Sequence, residues 1–314
     1  MNFNKPKIVV SKCLEHDACR YDGQLITNKY IKKLKDFIEF TTVCPEVEIG
    51  MGTPRKPIRI VKDGESTILL QSETGIDFAK DMNKFSKNYV SKIKQVDGFI
   101  LKSASPSCGV KSTKIFQKKH PAPLGKGNGL FAEQIIKSFP NHPIEEEKRL
   151  NNHMLREHFF TSIFTIANYR NVKDFDSLYK YHANNKYLFM SYNQTLMRKM
   201  GKIAANNDRF SFDKINNLYY AELLKLFTKK SRYKANINTQ THVMGYFKKY
   251  LSSSEKKLFL EKLELYRQRK IPISGINNIL YSWIVRFENE YLMNQSFFNP
   301  FPIELIEEDG SRFL

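Results

Sequence analysis

Three short apolar runs in the first third of the chain each lead into a cysteine: KIVVSKC (residues 7–13), TTVC (41–44) and GFILKSASPSC (98–108). Runs of this length, separated by stretches with apolar residues at helical spacing, describe a parallel sheet covered by helices. All strands of such a sheet point the same way, and ligands settle in the crevice outside their carboxyl ends. Cysteines far apart in sequence therefore meet at one edge. Residues 27–40 place Ile31, Leu34, Phe37 and Ile38 at helical spacing, with Thr27 or Asn28 as the cap. Residues 58–71 are expected as a hairpin turning at Asp63-Gly64, 75–95 as a helix, 111–130 as a Gly/Pro-rich loop and 130–138 as a further helix.

The segment FPNHPIEEEKR (139–149) reads as a linker, because two prolines break structure and a charge run begins. Beyond it the patterns are helical almost throughout, with no repeat at a fixed period. A chain of 314 residues exceeds the usual size of one core. The expected organisation is an α/β parallel-sheet domain over 1–140 followed by an all-α domain over 141–314.

The four cysteines, Cys13, Cys19, Cys44 and Cys108, all precede residue 109. The opening apolar run, Ile8 to Val10, is too short for a signal-peptide core of about 7–15 residues. No stretch approaches the roughly 18 apolar residues of a membrane span. The expectation is a cytoplasmic chain without a membrane partner, whose thiols stay reduced and serve metal binding or catalysis rather than disulfides. The formal net charge is +19, with 24 Lys/Arg against 14 Asp/Glu up to residue 140 and 27 against 18 after it. Such an excess favours a nucleic-acid or nucleotide partner, although the Lys-, Asn- and Ile-rich usage of an AT-rich genome explains it equally well.

Three segments carry the chemistry: VSKCLEHDACRYDG (10–23), VCPEVEIGMGTPR (43–55) and ILKSASPSCG (100–109). Each sets a cysteine in a loop beside small, Pro or Gly residues that let the backbone approach a bulky inorganic centre. Thiolates suit zinc and iron-sulfur clusters. There is no CxxC pair, so zinc-ribbon and ferredoxin spacings are absent, and ligands on separate strand ends favour a cluster assembled by the fold. Three cysteines on a cubane leave one iron open to substrate, whereas structural zinc closes its shell with four ligands. Cys19 could supply that fourth thiolate; its neighbours Arg20, Tyr21 and Asp22 favour a packing turn instead. Four unrelated buried thiols is the minority reading.

These segments, in this order and spacing, resemble the thiouracil desulfurase family over roughly residues 6–140. The resemblance implies a Rossmann-like α/β domain that binds a [4Fe-4S] cluster through Cys13, Cys44 and Cys108. It implies a non-redox reaction in which water replaces sulfur on the base carbon, converting 2-thiouracil to uracil plus hydrosulfide. Glu46 and Ser105 match its catalytic positions. Attack by water on a thiopyrimidine carbon needs a base, and a carboxylate two residues from a ligand cysteine is placed for that work. Glu46 could equally be a loop carboxylate paired with Arg55 or Arg20. Ser103 and Ser107 cannot be separated from Ser105 by spacing, and a serine in such a loop is more often a turn former. Asp22, Lys102 and Ser103 complete the list as candidates for orienting ligands or binding substrate. One departure from the family is Glu15-His16, where a glycine is usual within the loop after the first cysteine.

The helical part resembles the YbgA-like domain over about 147–306, through LREHFF, YHANNKYLFMSYNQ, MGKIAANN and HVMGYFKKYLS. Its candidate polar groups are His153, Arg156, His158, His182, Lys186, Tyr192, His242 and Gln295, most of them expected to be structural. Tyr and Phe interleave with Lys in YYAELLKLFTKKSRYK and MGYFKKYLSSSEKK, which suits either inward packing or stacking on RNA bases; packing carries about twice the weight. The expected function is iron-sulfur-dependent desulfurization of a small thionucleobase. Two alternatives stand beside it: desulfuration of thiolated tRNA, and a non-enzymatic nucleic-acid-binding or metal-sensing protein.

Overall fold

The computed structural model describes residues 3–118 and 120–306 and separates into two compact units, residues 4–167 and Asn168 onward. Residues 307–314, the end of the expected helical domain, lie outside the described residues.

The N-terminal unit runs β1 (Lys7–Ser11), α1 (Lys29–Leu34), β2 (Glu39–Val43), α2 (Pro45–Glu48), β3 (Ile58–Asp63), β4 (Ser66–Gln71) and α3 (Ala79–Lys92). It continues with β5 (Gly98–Leu101), β6 (Thr113–Gln117), β7 (His120–Gly127), α4 (Leu130–Ser138), β8 (Ile144–Glu146) and α5 (His153–Asn168). One sheet has the order β2-β1-β5-β8 with every pair parallel. The order reverses between β1 and β5, and a crevice opens at the carboxyl ends beside such a reversal. A second sheet, β4-β3-β6-β7, mixes antiparallel and parallel pairs. The two share a core that joins Val9, Val43 and Phe99 to Ile60 and Leu69, closed by Met82 and Val90 of α3 and Phe131 and Ile135 of α4.

Local sequence explains much of this. Asn28 caps α1, its side chain accepting from the N–H groups of Tyr30 and Ile31 at 3.0 and 3.1 Å. The helix is shorter than its apolar spacing predicts, because residues from Glu39 are drawn into the ladder beside β1. In α3 the buried residues Ala79, Met82, Ser86 and Val90 recur at helical spacing and face the core.

Three expectations are corrected. Residues 113–127 are not a loop but the antiparallel pair β6-β7; β7 is an edge strand, where a proline such as Pro123 removes no ladder bond that the sheet needs. The segment expected as a linker is the edge strand β8, and its three glutamates, Glu145, Glu146 and Glu147, are all buried. The division between units falls after residue 167 rather than at 140, because α5 packs on the first sheet. A Cβ on Gly98 would meet Pro143 O at 2.9 Å and Ile163 of α5 at 3.0 Å, so glycine permits this close approach.

The C-terminal unit is all-α, as expected: α6 (Phe175–Ala205), α7 (Phe212–Leu226), α8 (Tyr233–Gly245), α9 (Ser253–Arg267), α10 (Ile273–Arg286) and α11 (Glu290–Met293). Asn193 interrupts α6 with φ −160° and ψ 105°, and its side chain accepts from Leu196 N at 3.0 Å, capping the second half. Tyr219, Phe189, Phe247 and Phe259 are fully buried. In the first Tyr/Lys segment Tyr219, Leu223, Leu224 and Phe227 pack inward. In the second, Phe247 is buried while Tyr246 and Tyr250 are exposed. Among the described residues no helix is long and apolar enough to cross a membrane.

His182 lies 2.9 Å from the Tyr219 hydroxyl, and burial, followed by the charge of Lys186, pushes its pKa down to about 4. The unfolded chain takes up this proton near pH 6.5 and the folded chain only near 4, so stability is full above about 6.5 and falls as the pH drops toward 4. At about 1.4 kcal/mol per pH unit the loss is on the order of 3 kcal/mol. Trp283, the one tryptophan, reports unfolding of this unit. Denaturant midpoints for wild type should fall more steeply between pH 7 and 4.5 than those for His182→Gln; parallel slopes would refute the assignment.

Candidate metal centre

All four cysteines are buried at the carboxyl edge of the parallel sheet. Cys13 follows β1 after one residue, Cys44 follows β2 directly, and Cys108 closes the loop after β5. The thiols interact with one another. Burial and then Cys44 push Cys13 up to about 12, with Lys102 opposing. Cys19 also reaches about 12, through burial and then the charge of Cys44, whose Sγ donates to the Cys19 carbonyl at 3.8 Å. Burial lifts Cys108 well above its ordinary value against an opposing hydrogen bond from Ser11. Cys19 thus lies beside Cys13 and Cys44 rather than in a separate packing turn. Among the described residues no three His, Cys, Asp or Glu side chains close around a single metal ion.

The Cys108 loop is held by backbone contacts. Ser105 Oγ accepts from the N–H groups of Ser107 and Cys108 at 3.2 and 3.1 Å, and Ser105 O accepts from Thr113 Oγ1 at 2.7 Å. The first N–H groups of α4 donate into the same loop, Leu130 to Pro106 O and Phe131 to Ser107 O, which satisfies donors that a helix start otherwise leaves unpaired. A Cβ on Gly129 would lie 2.4 Å from the Ser107 carbonyl, so glycine is required where helix meets loop. Glu15 and Ala104 hold left-handed backbone at φ 64° and 58° beside the Cys13 and Cys108 segments. Each costs about 1–2 kcal/mol, strain of the kind that collects at functional sites.

Glu46 lies on α2, two residues beyond Cys44, and is buried. Its Oε2 accepts from Arg55 Nε at 2.8 Å and from Arg55 Nη2, while Oε1 accepts from Ser107 Oγ at 2.8 Å. Arg55 also donates through Nη1 to Cys19 O at 2.9 Å. The serine that touches Glu46 is therefore Ser107, and Ser105 shapes the turn. Lys102 Nζ donates to Glu147 Oε1 at 2.8 Å and to Ser103 O at 2.7 Å. Ser103 N and Oγ both donate to the Glu147 carboxylate at 2.7 Å. Asp22 stands apart on an exposed turn, paired with Arg20 at 2.7 Å. Of the departing pair, Glu15 accepts from Asn28 N, and the His16 ring packs edge-on against Phe40 at 5.2 Å.

Sequence reasoning missed Glu146 and Glu147. Glu146 Oε1 accepts from Val110 N at 2.7 Å and from Ser112 Oγ, so β8 grips the Cys108 loop from its far side. The available signal was Pro143-Ile144 after a helix, at the place where a parallel sheet takes its next strand.

Fold and site together define an α/β domain with a buried thiol cluster at its sheet edge, joined to a helical unit. Residues 8–147 match the model described as 2-thiouracil desulfurase, and residues 186–302 match one described as a protein of unknown function, DUF1722. An uncharacterized protein YbbK of Bacillus subtilis (strain 168) is 31% identical over 109 residues, covering 32% of this chain and 72% of that one. An uncharacterized protein YbgA of Escherichia coli (strain K12) is 23% identical over 127 residues, covering 40% and 75%. Among solved structures, the [4Fe-4S]-dependent thiouracil desulfidase TudS is 26% identical and covers 47% of this chain and 94% of its own, with a TM-score of 0.38. The chain belongs to the 2-thiouracil desulfurase family.

Proposed function

We propose that this chain is a cytoplasmic enzyme that removes sulfur hydrolytically from a thiolated uracil or related thionucleobase, using a [4Fe-4S] cluster held by Cys13, Cys44 and Cys108. The observation that carries the reading is the set of buried, mutually interacting thiols on three separate strand ends. Soft sulfur donors fit iron-sulfur ligation. Burial holds the Cys13 and Cys108 thiols above their ordinary range, and a positive metal centre supplies what draws such protons off. When bound, a cluster with one iron free of protein ligands supplies a thiophilic Lewis acid for the substrate's sulfur.

The chain's own residues do the rest. Glu46 is the general base for the attacking water. Arg55 occupies Oε2 twice, which leaves Oε1, with Ser107 on one side, as the edge that receives the proton. Ser105 fixes the Cys108 loop and retains its hydroxyl proton for a bound base. Lys102 and Ser103, locked by Glu147, hold the end of β5 beside Cys13. Water adds to the thiocarbonyl carbon, the C–S bond breaks, and sulfur departs as hydrosulfide with no change of oxidation state.

Anaerobic reconstitution should give about four irons per chain with matching sulfide and release of hydrosulfide from 2-thiouracil. Cys108→Ser should lose both. Zinc, or no metal at all, would refute the cluster. A second reading, a closed four-thiolate structural site, is favoured by the burial of the Cys19 thiol beside Cys13 and Cys44. Under the first reading Cys19→Ser keeps iron and activity; under the second it loses metal and fold.

A further inference from the structure

A cleft of about 390 Å3 opens in the C-terminal unit between the two halves of α6 and α11. The first half of α6 contributes Tyr179, His182 and Lys186, the second half Gly201, and α11 contributes Tyr291. His182 and Gly201 meet because Asn193 breaks the helix between them. A Cβ on Gly201 would lie 3.1 Å from His182 Nε2, so the absent side chain leaves room at that edge of the imidazole.

The polar groups in this cleft are set for an anion. Lys186 is half-buried, and among the described residues its ammonium has no carboxylate and no hydrogen-bond acceptor. The Tyr219 hydroxyl is fully buried and has His182 Nδ1 as its partner at 2.9 Å. Among the described residues its proton has no other acceptor, so it goes to Nδ1, which puts the imidazole hydrogen on Nε2. The cleft thus presents one ammonium and one N–H donor. Its walls are aromatic: Tyr179 is 44% exposed, and Tyr291 is fixed by stacking on Tyr246 at 6.1 Å.

We propose that this cleft binds a nucleoside monophosphate, with the phosphate at Lys186 and His182 and the base against Tyr179 and Tyr291. The volume sits at the small end of the roughly 300–1,000 Å3 typical of small-molecule sites. A lysine meets phosphate as a point charge, and tyrosine faces take any base. The site is independent of the desulfurase reading and needs no cluster.

The test is calorimetric titration of the full-length chain with uridine, adenosine, guanosine and cytidine 5′-monophosphates, uridine, and inorganic phosphate. At least one monophosphate should saturate at one per chain, with uridine and phosphate each roughly tenfold or more weaker. Lys186→Gln should weaken the monophosphate by roughly tenfold and leave uridine unchanged. Tyr179→Ala, at an exposed position that the fold does not need, should weaken monophosphate and uridine alike by roughly fivefold or more. Cys108→Ser should change nothing. Absence of saturation at millimolar ligand would overturn the proposal. So would unaltered affinity in Lys186→Gln, phosphate binding as tightly as any nucleotide, or loss of binding in Cys108→Ser.

Discussion

Replacing Glu147 with alanine is expected to destabilise the N-terminal unit by about 3 kcal/mol or more, because removing one member of a buried ion pair strands the other. Glu147 is 3% exposed and receives three hydrogen bonds, from Lys102 Nζ, Ser103 Oγ and the Ser103 backbone N–H. Without it the Lys102 ammonium keeps only serine oxygens, and the residues that follow β5 lose their tie to the residue that follows β8. The effect should reach the thiols, since Lys102 is the cation that opposes the charge of Cys13. The only tryptophan, Trp283, lies in the other unit. Hydrogen exchange of peptides spanning residues 98–112 and 144–150 is therefore the proper readout. Protection within about 1 kcal/mol of wild type would show that these contacts are not worth what their burial implies.

Glu46→Gln is expected to lower hydrosulfide release from 2-thiouracil by about 10²–10⁴-fold, the usual contribution of a general base, while iron content stays at the wild-type level. The amide keeps the shape and can still bond Arg55 and Ser107, but it cannot take a proton from water. Ser107→Ala should cost less, because it removes only the hydroxyl on Oε1 and leaves the Arg55 clamp in place. Undiminished turnover in the glutamine variant would remove Glu46 from the chemistry and leave it as a structural partner of Arg55. Loss of iron along with activity would instead mark it as a support for the cysteine loops.

Much of the N-terminal fold was legible because its signals are local. Apolar runs gave β1, β2 and β5, the helical pattern over 75–95 gave α3, and the cap expected at Thr27 or Asn28 is Asn28. The same strands, read as parallel, were enough to expect Cys13, Cys44 and Cys108 at one edge. Less legible was anything whose meaning depends on a distant partner. Three consecutive glutamates look like a solvated run, yet in and just after β8 they are buried, since Arg149, Ser112, Lys102 and several N–H groups are waiting for them. Spacing could not separate the serines of SASPSC; only the placement of α2 against this loop puts Ser107 on Glu46 and leaves Ser105 to the turn.

The sequence by itself determined most element types, though not β6, β7 and β8, together with the helical character of the second unit and the family, because periodicity, caps and motif spacing are properties of neighbouring residues. Tertiary structure alone decided that Arg55 holds Glu46, that Cys19 lies beside Cys13 and Cys44, that α5 belongs with the sheet, and that His182 and Gly201 face one cleft. Those outcomes turn on strand register, on a helix broken at Asn193 and on which buried polar groups find each other. Such long-range choices are fixed by desolvation and packing of the whole fold, and no local window of sequence contains them.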